Sequence, residues 1–74
     1  MATASPVSCV SQIGEIAGTI WRVLSDNGPL SMAKLVKAVG EPRDTVMQGL
    51  GWLAREGKVN IDDEGRNRMV SLQL

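Results

Sequence analysis

The chain contains no histidine, no phenylalanine and no tyrosine, and only one cysteine. Each scarcity removes a class of chemistry. A lone cysteine, Cys9, forms no internal disulfide. Without histidine or a cysteine pair, a zinc site lacks its usual ligands. Cys9 reads as a small apolar residue near the start of a helix, in keeping with a reducing, cytoplasmic setting. No stretch has the apolar run of about 20 residues that a membrane span needs. Met1 to Ser8 lack the charged start and apolar middle of a signal peptide. No pattern for cradling phosphate, binding metal or activating a nucleophile is present. The expectation is a non-enzymatic protein without cofactor or metal.

Net charge is also absent, with eight basic residues set against eight acidic ones. A small DNA-binding domain is usually basic, because phosphate contacts supply much of its affinity. Charge placement must therefore carry any argument for DNA.

With 74 residues the chain holds one domain. Residues 1–10 read as a flexible arm and 11–74 as the folded unit. A core this small is marginal, and self-association is one way to strengthen it. From about Ser11 to Asp26, the residues Ile13, Ile16, Ala17, Ile20, Val23 and Leu24 recur at helical spacing. Asn27-Gly28-Pro29 ends that helix, and Pro29-Leu30 has room for no more than an edge bridge. Ser31 caps a second helix over Met32–Val39, with Leu35, Val36 and Val39 inward and Gly40 as its stop. A third helix starts at Pro42 and closes at Gly57. Val46, Leu50, Leu53 and Ala54 form its inner side, with Met47 at the edge.

After Gly57 the period falls to two. Val59 and Ile61, then Val70, Leu72 and Leu74, alternate with polar neighbours around the turn Asp63-Glu64-Gly65-Arg66. Asp62-Asp63-Glu64 reads as a solvated hairpin tip rather than a metal loop. The expected fold is α+β: a winged helix-turn-helix of three helices followed by a two-stranded hairpin wing.

In such a fold the third helix is the element that enters the DNA major groove. Stepping about 100° per residue puts Thr45, Gln48, Trp52 and Arg55 opposite Leu50, with Asp44 beside them. Gln48 can bond adenine, Arg43 or Arg55 can reach guanine or phosphate, and Thr45 can touch either. Yet Arg43 and Arg55 face Glu41, Asp44 and Glu56, two cations against three anions, a net −1 over this segment. A polyanion is repelled by that balance. Asp62, Asp63 and Glu64 load the wing tip in the same sense, while Arg66 and Arg68 just beyond soften it.

Trp52 stands between Gly51 and Leu53, with Gly49 nearby. Two glycines inside a helix cost about 1 kcal/mol each relative to alanine, which points to something approaching the backbone closely. Trp52 either anchors an interface or folds back onto the hairpin of its own chain. On the first helix Val10, Gly14, Gly18 and Trp21 flank the apolar stripe. They read as internal packing or as a second patch of the same surface. The candidate interface is therefore Trp52, Gly49, Gly51, Gln48, Trp21 and Gly18.

The run Leu50-Gly51-Trp52-Leu53-Ala54-Arg55-Glu56 resembles a family of short bacterial and archaeal winged helix-turn-helix proteins of unknown function. The stretch Ile13 to Trp21, the segment Ser31–Leu35 and the closing strands are similar to it as well, so the resemblance covers about Ile13 to Leu74. It implies a winged helix with no established enzymatic activity. It also implies a homodimer whose helix-turn-helix surface serves protein contact. Two readings stand: a protein-interaction module, most simply a homodimer, and a DNA-binding transcriptional regulator using Arg43, Thr45, Gln48, Arg55, Arg66 and Arg68. Many winged-helix regulators combine the two.

Overall fold

The computed structural model describes residues 9–64 and 67–73. Helix α1 spans Cys9–Asn27, α2 Met32–Val39 and α3 Arg43–Arg55; strands β1, β2 and β3 span Leu30–Ser31, Val59–Glu64 and Asn67–Leu72. Helix α1 begins two residues before the expected start. Arg66, Gly65 and Leu74 lie outside the described residues, as do residues 1–8 of the expected arm.

Local chemistry sets the helix ends. The Ser31 hydroxyl accepts a bond from the Lys34 amide at 3.3 Å and caps α2. Pro42 sits one residue ahead of α3, and its carbonyl accepts the Val46 amide at 3.0 Å. At the other end of α3, Gly57 takes φ +71°. Its amide donates to Ala54 and the Lys58 amide donates to Leu53 at 2.9 Å. This is a Schellman turn, which satisfies the last carbonyls while reversing the chain. The reversal carries Lys58 and β2 back against the helices.

The sheet has three antiparallel strands, in the order β1-β3-β2, rather than the expected two. Leu30 pairs with Val70 and Ser31 with Met69, so the short segment before α2 adds a strand to the wing. Sequence pattern misses it because two residues are too few to show a period. Val70 is flanked by Leu30 on one side and Ile61 on the other, and is fully buried. Ile61, expected inward, is 40% exposed, whereas Val59 on the same strand is buried: Ile61 lies two residues further along β2, towards the tip of the hairpin.

The core joins Ala17, Ile20 and Leu24 of α1 with Met32 and Leu35 of α2. Val46, Leu50 and Leu53 of α3 and Val59 and Val70 of the sheet complete it. On α3 the buried positions are 46, 49, 50 and 53, so Gly49 replaces Ala54, which is exposed. A Cβ at Gly49 would stand 2.6 Å from Ile16 Cγ2 and 3.1 Å from the Ala17 amide nitrogen. The close approach inferred from this glycine is thus made by α1 of the same chain. Gly49 is the contact point of the helix crossing and offers no surface to a partner. Gly51 is exposed, and a Cβ added there would meet nothing within 4 Å.

These two glycines give predictions of opposite sign. Gly49→Ala forces α1 and α3 apart and should lower the unfolding free energy by about 1–3 kcal/mol, despite alanine's better helix propensity. Gly51→Ala should raise it by about 0.5–1 kcal/mol. Urea denaturation of the two variants checks both; a stabilised Gly49→Ala would contradict the crossing geometry.

Candidate functional site

With 46, 49, 50 and 53 buried, the residues of α3 farthest from the core are Asp44, Gln48, Gly51 and Arg55, spaced i, i+4, i+7 and i+11. All four are exposed. Trp52, expected opposite Leu50, does not belong to this outward row. It lies on the flank turned towards α1.

There it meets Trp21. The two indoles, 51% and 47% exposed, line one open groove of about 340 Å³. Gly14, Ala17 and Gly18 of α1 and Leu53 of α3 form the rest of its wall, and Lys58 stands at the edge. Gly14 and Gly18 are exposed, and a Cβ on either would meet nothing within 4 Å, so their surface is bare backbone. Small residues one helical turn apart leave a shallow trough beside each tryptophan. Among the described residues the groove is lined by α1, α3 and Lys58, so Trp52 shares it with α1.

Of the residues expected at an interface, Trp52, Trp21 and Gly18 come together here. Gly51 and Gln48 lie on the outward row and Gly49 is buried. Gly14 shares the flank of Trp21 by spacing alone. Lys58 could not be placed from sequence, because it follows the Schellman turn and reaches α1 only through the chain reversal.

The residues expected to contact DNA are more scattered. Gln48, Arg43 and Arg55 are exposed. Thr45 is half-buried and lines a different groove of about 290 Å³ with Gln12, Glu15, Ile16, Glu41 and Pro42. Two carboxylates edge that groove, a poor setting for a phosphate. Arg68 pairs with Asp63 across the wing at 3.4 Å, an ion pair between residues directly opposite in the register. Its charge is therefore partly offset. Among the described residues no group of acids, histidines or cysteines is arranged to hold a metal ion. No helix there is long and apolar enough to cross a membrane.

Three helices, a helix-turn-helix pair and a wing closed by a strand before α2 define a winged helix-turn-helix domain. The model of one such family, described as "Winged helix-turn-helix domain (DUF2582)", matches residues 9–72. The chain belongs to this family of domains of unknown function. No curated protein matches it.

The Arg68–Asp63 pair is well exposed at both ends, and such pairs contribute little. Asp63→Ala should shift the unfolding free energy by less than about 0.5 kcal/mol. A loss above about 1 kcal/mol in thermal denaturation would show that the wing depends on it.

Proposed function

We propose that this domain is a non-catalytic protein-interaction module that forms a homodimer through the groove between Trp21 and Trp52. One observation carries the reading: two half-exposed indoles from different helices converge on a trough of glycine and alanine. Tryptophan is enriched at interface hot spots, where its area is large and few rotamers are lost. The small core of a 74-residue chain gains from having that area covered. The same reading puts the protein in the cytoplasm, where a lone cysteine stays reduced.

The test is solution mass by sedimentation at two concentrations. The wild-type chain should show a dimer that dissociates on dilution. Trp52→Ala should raise the dissociation constant by at least about 30-fold, the effect of a 2 kcal/mol hot spot. A monomeric wild-type chain at the highest attainable concentration would sink the reading, as would a dimer indifferent to Trp52→Ala.

A second reading, DNA binding through α3, draws on a separate observation. Gln48 and Arg55 lie on the outward row, on a different side of the helix from the tryptophan groove, so a dimer would leave them accessible. Asp44 on the same row and Glu41 and Glu56 at the helix ends weigh against it. If DNA is a ligand, binding to mixed duplexes should be seen at about 50 mM salt and fall steeply as salt rises; no binding at the lower salt would remove this reading.

A further inference from the structure

Asn27 and Gly28 form the one Asn-Gly pair of the chain. Glycine has no Cβ to shield its own amide. In such a pair the glycine nitrogen, once it gives up its proton, can attack the carbonyl carbon of the asparagine side chain. The new N–C bond closes a cyclic succinimide, and the side-chain nitrogen leaves as ammonia. Water then opens the ring at either carbonyl, giving aspartate or isoaspartate. Nothing is oxidised or reduced, and water is the co-reactant.

The fold ties up both reacting groups. Asn27 is the last residue of α1, and its Nδ2 donates to the Val23 carbonyl at 2.8 Å. Gly28 turns the chain at φ +77°, and its amide donates to the Leu24 carbonyl at 2.8 Å. The nucleophile and the leaving group are thus each bonded to a carbonyl one turn back along α1. Asn27 is exposed and Gly28 half-buried, so these bonds, rather than burial, restrain the pair. A helix end is also where local opening costs least.

Conversion at this position works against the fold. Aspartate at 27 has no proton to donate to Val23. The last turn of α1 already carries Asp26 and no base, and a second carboxylate there opposes the negative end of the helix dipole. Isoaspartate also lengthens the backbone just ahead of Leu30, which must reach Val70 to form β1. We infer that Asn27 is a latent deamidation site, locked by the C-terminal cap of α1 and released when that end of the helix opens. The inference uses no residue of the tryptophan groove and stands apart from the homodimer reading.

The experiment incubates the full chain at mildly alkaline pH, with and without guanidinium chloride, and follows residue 27 by peptide mass mapping. Aspartate and isoaspartate should accumulate at 27 in the unfolded chain, and at least about tenfold more slowly in the folded one. Asn27→Gln, which would have to close a larger ring, should leave the peptide unchanged in both. Asn27→Asp should keep its helical circular dichroism and melt about 4–8 °C below wild type. Equal rates with and without denaturant would overturn the lock. An Asn27 that stays intact in guanidinium chloride, or the same mass change in Asn27→Gln, would overturn the site. An Asn27→Asp variant as stable as wild type would overturn the role given to the cap.

Discussion

The crossing of α1 over α3 at Gly49 is the constraint on which the rest of the domain depends. With no side chain at Gly49, Ile16 and the Ala17 backbone settle directly against α3. That contact brings the stripe of α1 down onto Val46, Leu50 and Leu53, the largest share of a small core. It also decides what stays outside. Once α1 is seated on Gly49, the flank of α1 bearing Gly14, Gly18 and Trp21 faces the flank of α3 bearing Trp52. The groove is a by-product of the crossing, and a larger residue at 49 would open it as well as loosen the core.

The same geometry separates two surfaces that a winged helix often merges. The outward row of α3, Asp44, Gln48, Gly51 and Arg55, is polar and almost neutral. The tryptophan groove lies round the helix from it, between α1 and α3. An interaction through the indoles leaves the outward row open, so protein contact and a DNA role are not rivals for one face. The acids at either end of α3 and the offset charge of Arg68 are what hold the DNA reading back.

Much of this was legible from the residues. The stripe Ile13 to Leu24 marked the inward face of α1. Ser31 and Gly40 bracketed α2 over the residues it occupies, and the change of period after Gly57 marked the wing. What escaped did so for physical reasons. Strand β1 is two residues long and owes its existence to pairing with β3, a long-range event with no local pattern. Ala54 and Gly49 exchanged places because glycine reads as a surface or turn residue until the neighbour that needs its missing side chain is known. Trp52 falls on the outward row only when the wheel is centred on Leu50; the true centre of the stripe lies nearer Gly49, which swings Trp52 towards α1. Lys58 carried no signal at all, since its place depends on the turn at Gly57.

The central claim is that a second copy covers the groove, and the chain carries its own reporter for it. Trp21 and Trp52 are its only aromatic residues, so intrinsic fluorescence comes from the groove and nowhere else. Acrylamide quenching should be measured across a dilution series alongside the sedimentation mass. The account predicts that both indoles become shielded, with a blue-shifted emission, over the same concentration range in which monomer becomes dimer. Quenching that stays constant while the mass doubles would place the dimer contact elsewhere and contradict it.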